Sequence, residues 1–280
     1  MTPYEQLKQK FILPNAYDDW TEYREFLTDL ILQYSPGSES IAIIGAGRCD
    51  DIDLRRICAA FPSVTLIDID AGSMMEAAAG LSVDERKNVC LKELSLTGIS
   101  EQDPADICDN LLFSVREFGR NITAEAYTNI LLQTIDEIEQ HRIMPDELSV
   151  QIGHHDLILC SGVCSQLFSL LSYFIRSLTA SVSEAIGINM TDIQYLVDER
   201  FRKINDLFVP DIVSAIRTAA NRYAIFGNEY SENSPVEGVQ QCIAALRESG
   251  NVQKEIPARW NFNPPGKIAY DMIVQVCGGS

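Results

Sequence analysis

An apolar run followed at once by two glycines and then by aspartates is the part of this 280-residue sequence best suited to ligand chemistry. It covers residues 41–54 and reads IAIIGAGRCDDIDL. Glycines after a strand can adopt positive φ and let a ligand lie against the main chain, and the following helix offers free N–H groups to an anionic group. The segment Gly45-Ala46-Gly47 is therefore predicted to be a ligand-binding turn.

The acidic residues after this turn bear on the kind of ligand. A dinucleotide site needs a third glycine where this sequence has Asp50, and Asp51 and Asp53 follow. Carboxylates there would repel a diphosphate by on the order of 1 to 4 kcal/mol per close pair. A ligand with an amino group and a sulfonium, such as S-adenosylmethionine, is favoured instead. Two of the aspartates are expected to cap the next helix, which leaves one, Asp53 or Asp50, for ligand contact.

Another acid ends the next predicted strand. Asp68 closes SVTLID and lies 23 residues after Gly45. An acid at this tip can accept hydrogen bonds from both hydroxyl groups of a ribose. Folds that bind NAD share this acid, so Asp68 alone does not choose between the two ligands.

Alternating strands and helices must position these residues. Apolar runs at 40–45 and 63–68, and in NVCLKELSL, HDLILCS and RYAIFGNEY, predict strands of a sheet covered on both faces. At the end of the chain, ARWNFN and KIAYDMIVQVC around PPG predict a hairpin whose last strand is antiparallel to its neighbour. The sequence therefore predicts an α/β fold with a doubly wound, mostly parallel sheet. Ligands of such sheets bind beyond the carboxyl ends of the strands.

Helical patterns precede and interrupt this alternation. Residues 3–35 are predicted to be helical, and residues 1–36 to form an N-terminal segment ahead of an α/β domain over 37–280. Two further helical patterns predict an insertion at about 101–150, which could cover an acceptor pocket or form a homodimer contact. After the fourth strand a helix is predicted from about Ser165, and a long helix from Thr191 that Pro210 breaks.

Charge and cysteine content disfavour several classes of function. The chain has 22 Lys and Arg against 40 Asp and Glu, a net charge of −18, which makes nucleic acid and membrane surfaces poor partners. Its eight cysteines and three histidines are not spaced for a metal, so no metal site is predicted. The start carries no signal peptide and no run is apolar enough to span a bilayer, so a soluble, cytoplasmic protein with reduced thiols is predicted.

In these motifs the chain resembles the class I S-adenosylmethionine-dependent methyltransferases. The match runs through IAIIGAGRCDDIDL, VTLIDID, DLILCSGV and RWNFNPPGKIAYDMIVQV. It implies a Rossmann-like, seven-stranded sheet with an antiparallel last strand, S-adenosyl-L-methionine as cofactor, and methyl transfer to a small-molecule acceptor. The motifs and the resemblance together predict these cofactor contacts: Gly45, Ala46, Gly47, Asp53, Asp68, Ile69, Leu96, Thr97, Ser161 and Gly162.

The acceptor side is less marked in the sequence. Cys49 and Asp50 stand near the usual third glycine, and Ser95 replaces the acid common at the tip of strand three. Tyr17, Trp20 and Cys164 are predicted to contact the acceptor, although Trp20 and Cys164 also suit packing in the core. No catalytic base is assigned; an aspartate, a tyrosine or the insertion could supply one.

Methyl transfer from a sulfonium is an in-line displacement that needs orientation and desolvation more than a catalytic triad. The leading hypothesis is therefore an enzyme, a small-molecule methyltransferase. Two alternatives stay open. One is a non-catalytic or regulatory protein of the same fold that binds S-adenosylmethionine, and the other is an NAD-dependent oxidoreductase.

Overall fold

A computed structural model of the chain describes residues 6–7, 10–100, 103–118, 122–186, 190–230 and 238–279. The chain divides into two compact units. The sheet unit comprises Leu13–Leu96, Met144–Ser165 and Val209–Ser280, and the helical unit comprises Met1–Ile12, Thr97–Ile143 and Gln166–Phe208. The predicted division into residues 1–36 and 37–280 follows other boundaries and stays a prediction.

The sheet unit contains one seven-stranded sheet. Its strands are β1 Ser40–Ile44, β2 Ser63–Asp68, β3 Val89–Glu93, β4 His155–Ser161, β5 Ala220–Glu229, β6 Val252–Asn263 and β7 Ile268–Gly278. Their order is β3-β2-β1-β4-β5-β7-β6. Strands β1 to β5 pair in parallel, and β7 is antiparallel to both β5 and β6. The predicted Rossmann-like, doubly wound sheet with a closing antiparallel hairpin is confirmed.

The described helices fall in both units. In chain order they are α1 Ala16–Asp19, α2 Thr21–Tyr34, α3 Leu54–Ala60, α4 Ala71–Ala79, α5 Val83–Arg86, α6 Asp103–Phe118, α7 Ala124–Asp136, α8 Pro145–Ile152, α9 Ser169–Ile186, α10 Met190–Ala219 and α11 Val239–Glu248. A 3₁₀ turn, Glu137–His141, follows α7. No helix among the described residues is long and apolar enough to cross a lipid bilayer.

The centre of the sheet is apolar because helices cover it. Three central strands are buried along most of their length, as expected for strands packed on both faces. The buried residues are 41–44 of β1, 64–67 of β2 and 157–161 of β4. On one face, Tyr23 and Leu27 of α2 belong to the same buried cluster as Trp260 of β6. The register pairs Ile44 with Ile67 of β2 and with Cys160 of β4, so the carboxyl ends of these three strands are level.

The N-terminal helical prediction is correct only in part. Helices α1 and α2 cover most of residues 16–34, whereas residues 11–15 are not helical. Pro14 explains the break, because a proline disfavours helical φ and ψ in the residue before it. Residues 1–5 and 8–9 of the predicted helix lie outside the described residues.

Two boundaries after β4 differ from the predictions. The helix expected from about Ser165 begins at Ser169, after a series of turns. The expected break at Pro210 is wrong, because α10 runs through this residue. Pro210 is exposed and its neighbours Phe208 and Val209 are buried. Water can therefore solvate the carbonyl group that the missing N–H leaves free, while the apolar side holds the helix together.

The described part of the predicted insertion at 101–150 is mostly helical. It contains α6, α7 and most of α8, and its residues 101–102 and 119–121 lie outside the described residues. Within the helical unit, the Tyr127 hydroxyl group donates to Thr179 Oγ1 at 3.1 Å, which joins α7 to α9. An ion pair of 3.1 Å between Arg200 and Asp136 joins α10 to α7.

Candidate functional site

The predicted ligand-binding turn after β1 is a tight bend. Gly45 has φ of +68° and Gly47 has φ of +45°. The N–H groups of Gly45 and Ala46 both donate to the carbonyl oxygen of Ile67, at 2.8 and 3.2 Å. A Cβ on Gly45 would lie 2.3 Å from Cγ2 of Val163, whereas a Cβ on Gly47 would meet nothing within 4 Å. Glycine is thus required at 45 by both conformation and space, and the main chain at 47 borders open space.

Asp68 lies directly against this bend. Its Oδ2 accepts a hydrogen bond from the Gly47 N–H at 2.8 Å, and its Oδ1 accepts one from the Asp70 N–H at 2.8 Å. Main-chain donors on both sides therefore fix the orientation of this carboxylate. The structure therefore brings together the two motifs that the sequence singled out, at the point where the strand order reverses.

The three aspartates after the turn have three different roles. Asp53 is the N-cap of α3, and its Oδ1 accepts from the N–H groups of Arg55 and Arg56 at 3.1 and 3.2 Å. Asp50 pairs with Arg48 at 2.8 Å. One aspartate therefore caps the helix through its side chain, and the expectation of two was wrong. A ligand contact of Asp53 or Asp50 stays a prediction.

Asp51 is the most perturbed of the three. Burial of its carboxyl group raises its pKa to about 7; the nearby Asp50 acts in the same direction, and Arg24 opposes it. A carboxyl group with such a pKa exchanges a proton near neutral pH, which is a property common at functional sites. Asp51 was not selected from the sequence, because the degree of burial within a loop leaves no mark in the sequence.

A buried pair of hydroxyl groups lies at the carboxyl end of β4. Ser161 Oγ and the Tyr23 hydroxyl oxygen are 2.9 Å apart. Gly162, with φ of +65°, donates its N–H to the carbonyl oxygen of Gly227 at 2.8 Å. A Cβ on Gly227 would lie 2.6 Å from Ser161 Oγ and 2.7 Å from the Tyr23 hydroxyl oxygen. Strand β5 therefore passes directly beside this pair.

Glu229, the last residue of β5, was missed by the sequence analysis. It is 7% exposed, and its Oε1 accepts a hydrogen bond from Ser165 Oγ at 2.8 Å. Its Oε2 is buried and has no hydrogen-bond partner within the described ranges. Burial raises the pKa of Glu229, while its own backbone and Ser165 oppose the shift. The sequence marks Glu229 only by its position near the carboxyl end of the apolar run RYAIFGNEY, which is the end of a strand where ligands can bind.

Tyr23, with Tyr17 and Trp20, is one of three N-terminal aromatic residues that the sequence offers as a lid over an acceptor. Its ring is buried, and its pKa is raised by that burial, by Asp51 and by Glu229, against the effect of the hydrogen bond with Ser161. The tyrosine is therefore a neutral hydrogen-bonding group that is influenced by the charges of two acidic side chains.

The remaining predicted cofactor contacts are more dispersed. Ile69 directly follows Asp68 and is half-buried, as is Leu96 beyond β3 in the sheet unit. Thr97 belongs to the helical unit, where it is buried and its Oγ1 accepts from the Ile99 N–H at 3.3 Å. Cofactor contacts of these three residues stay predictions.

The predicted acceptor contacts have packing partners. Trp20 Nε1 donates to the carbonyl oxygen of Phe262 at 2.8 Å, which fixes this indole on the hairpin. Tyr17 is 51% exposed, and the guanidinium carbon of Arg24 lies 3.7 Å from the centre of its ring. Cys164 is buried beside the thiols of Cys160 and Cys242. Acceptor contact by Tyr17, Trp20 or Cys164 stays a prediction.

Within the described ranges, no group of three or more His, Cys, Asp or Glu residues could hold a metal ion.

Comparisons with known proteins add distant structural similarities. The sequence matches no family model, and no curated protein matches it. Magnesium protoporphyrin IX methyltransferase from Synechocystis PCC 6803, solved with bound SAM, is 9% identical with a TM-score of 0.45, over 96% of this chain and 86% of that one. The O-methyltransferase TomG from Streptomyces achromogenes is 11% identical with a TM-score of 0.43, over 99% and 88%.

A third similar structure is the N-methyltransferase NodS from Bradyrhizobium japonicum WM9. It is 10% identical with a TM-score of 0.41, and the alignment covers 92% of this chain and 97% of that chain. The fold assignment itself rests on the sheet, which has the seven strands and the antiparallel last strand that the resemblance in the sequence implied.

Proposed function

We propose that this protein transfers a methyl group from S-adenosylmethionine to a small-molecule acceptor. The observation that carries the proposal is the bend at Gly45–Gly47, which is held against Asp68 and borders open space at Gly47. It lies at the carboxyl edge, where the strand order reverses and where ligands of doubly wound sheets bind.

The residues of the sheet unit fit the parts of this cofactor. A carboxylate at the tip of β2, such as Asp68, is a suitable acceptor for ribose hydroxyl groups, and the bare main chain at Gly47 admits a ligand in close contact. Ala46 of the bend and Gly162 after β4 would border the methionine part, and Ile69 the adenosine. Together these residues supply a closely approachable main chain, a carboxylate and an apolar side chain, which suit a nucleoside linked to an amino acid.

The charges near the bend favour this cofactor over a dinucleotide. Arg48 offsets Asp50, and the N-terminus of α3 stabilises Asp53, but Asp51 pairs with neither. An ionised Asp51 would repel a diphosphate, whereas it would attract the ammonium and sulfonium groups of S-adenosylmethionine. The alternative of an NAD-dependent oxidoreductase is disfavoured for the same reason, because NAD carries a diphosphate.

Bound S-adenosylmethionine would supply a methyl group that its sulfonium has already activated. The task of the chain is then to hold the acceptor in line and to exclude water. Ser161, Tyr23 and Glu229 provide buried polar groups at the β4 and β5 ends of the same edge. This arrangement suits an acceptor that is bound by a few hydrogen bonds in largely apolar surroundings.

An assay that follows the transfer of a labelled methyl group tests the proposal. Purified protein is incubated with S-adenosylmethionine labelled in the methyl group and with a small-molecule extract freed of protein and nucleic acid. Label is expected in small-molecule products, and Asp68→Ala is expected to reduce the rate about tenfold or more, because it removes a ribose acceptor. Asp84→Ala is the matched control, since Asp84 lies on the surface of α5. Binding without transfer would support the non-catalytic alternative.

A further inference from the structure

Glu229 differs from the other acidic residues at the carboxyl edge. It is 7% exposed, its Oε1 is bonded to Ser165, and its Oε2 has no hydrogen-bond partner in the described part of the chain. No cation there forms an ion pair with it. A buried acceptor without a partner has lost its hydrogen bonds to water without replacing them, and this loss is greater if the group is charged. Such a group is a candidate for contact with a ligand.

Its neighbours place this carboxyl group beside the Tyr23–Ser161 pair. Alternate residues of a strand share a face of the sheet, so Glu229 and Gly227 lie on the same face. Gly227 pairs with Ser161 of β4, and the Tyr23 hydroxyl group covers both. The charge of Glu229 also acts on Tyr23 and on Tyr270 of β7.

Aromatic rings adjoin this polar group. The ring of Trp260 stacks on Tyr23 with a centroid distance of 5.1 Å, and Tyr270 lies 6.4 Å from Trp260. The Nε1 atom of Trp260 is buried and likewise lacks a hydrogen-bond partner in the described residues. Carboxylates and the faces of tyrosine and tryptophan rings both attract cations. The surroundings of Glu229 therefore favour a positively charged group.

We propose that Glu229 binds the amino group of the acceptor, so that the substrate class is a primary or secondary amine. This inference rests on the proposed methyl transfer at the same edge. An ammonium group supplies both things that Oε2 lacks, a hydrogen-bond donor and a charge of opposite sign. A hydroxyl group supplies only the donor, and an anionic acceptor would be repelled.

The same carboxylate can also take the proton that an ammonium must lose. Burial raises the pKa of Glu229 and makes its ionised form a better base, and the titratable groups near it are Tyr23, Cys164 and Tyr270. One N–H bond breaks and the proton passes to Oε2. The freed nitrogen electron pair forms the N–CH₃ bond, while the electrons of the broken C–S bond remain on sulfur. The positive charge of the sulfonium ends on the methylated nitrogen.

Matched small probes test the preference for an amine. Benzylamine, phenethylamine and n-butylamine are each compared with the alcohol and the carboxylate of the same carbon skeleton. Their dissociation constants are measured by ligand-observed NMR, with and without S-adenosylhomocysteine. At least one amine is expected to bind about 10- to 100-fold more tightly than its alcohol, as a hydrogen bond between charged groups provides. Equal affinities in all three series, or no binding of any amine, would overturn the proposal.

Two variants assign the preference to this side chain. Glu229→Gln keeps the shape and removes the charge, so the preference for the amine should disappear while S-adenosylhomocysteine binds as before. Ser165→Ala removes the partner of Oε1 and should weaken the preference without abolishing it. Glu248→Gln, an exposed residue at the end of α11, should change nothing. An amine preference that survives in Glu229→Gln would overturn the proposal.

The two proposals fail in different ways. If S-adenosylhomocysteine does not bind to the wild type but the amine preference is present and depends on Glu229, the proposed methyl transfer fails and the amine site stands. If S-adenosylhomocysteine binds but no amine preference is found, the amine site fails and the proposed methyl transfer stands.

Discussion

The two ends of the carboxyl edge differ in how their polar groups are held. At the β1 and β2 end, main-chain N–H groups bind the carboxylate of Asp68, and the N-terminus of α3 binds that of Asp53. At the β4 and β5 end, the polar groups are side chains buried among apolar residues, and Oε2 of Glu229 lacks a partner in the described residues. The first end has the properties of a fixed binding frame, and the second those of a site completed by its ligand.

This difference explains which end of the edge can be predicted from the sequence. The bend and Asp68 depend on local order: a strand, two glycines, and an acid that ends the next strand. Glu229 depends on Ser165, 64 positions away, and on burial by helices from other parts of the chain. No local pattern contains that information, so only folding brings these residues together.

The largest effect is expected at the bend. Gly45→Ala places a Cβ 2.3 Å from Val163 at a positive φ, and should lower the free energy of unfolding by about 2 to 5 kcal/mol. Gly47→Ala adds a Cβ in open space and should cost only about 1 to 2 kcal/mol, while it obstructs the ligand. Urea unfolding and calorimetry with S-adenosylhomocysteine measure the two effects. Equal losses of stability in both variants would contradict the account.

The next effect concerns Asp51, a half-buried acid in the loop after β1. The pKa of Asp51 is about 7 in the folded chain against 3.8 for a free side chain, so its ionisation opposes folding. Wild-type stability should therefore fall as pH rises from about 4 to 7, relative to Asp51→Asn, by on the order of 2 to 4 kcal/mol in all. Urea unfolding of both proteins at pH 5 and pH 8 checks this.

The matched control for Asp51 is Asp84→Asn, because Asp84 is exposed and pairs with Lys87 at the surface. Its stability relative to the wild type should show little dependence on pH. A difference between Asp51→Asn and the wild type that does not change between pH 5 and pH 8 would show that Asp51 is ionised normally.

The smallest effect is expected at the hydroxyl pair. Tyr23→Phe removes the bond to Ser161 but keeps the ring stacked on Trp260, and should cost about 1 kcal/mol of stability. Because Tyr23 lies at the β4 and β5 end, binding of S-adenosylhomocysteine should be unchanged. Thermal melting with and without S-adenosylhomocysteine measures both the stability of the variant and its binding of this ligand. A variant that loses the ligand but not stability would place Tyr23 at the cofactor instead.

The fold itself was more predictable than the roles of its side chains. Strands β1 to β5 were predicted from their apolar runs, and the closing hairpin from PPG between two alternating segments. The first half of β6 was not predicted, because β6 begins at Val252, ahead of the predicted ARWNFN. The helix through Pro210 was not predicted, because packing on the buried face outweighs one missing hydrogen bond. Which aspartate caps α3 was also undecided, since it depends on where the helix begins: Asp53 is the residue just before Leu54.

Calorimetric titration of the wild-type protein with S-adenosylhomocysteine and, separately, with NADH tests the central claim most directly. The account predicts saturable binding of S-adenosylhomocysteine, markedly weakened in Asp68→Ala, and no binding of NADH. Binding of NADH, or no heat from S-adenosylhomocysteine at millimolar concentration, would contradict it.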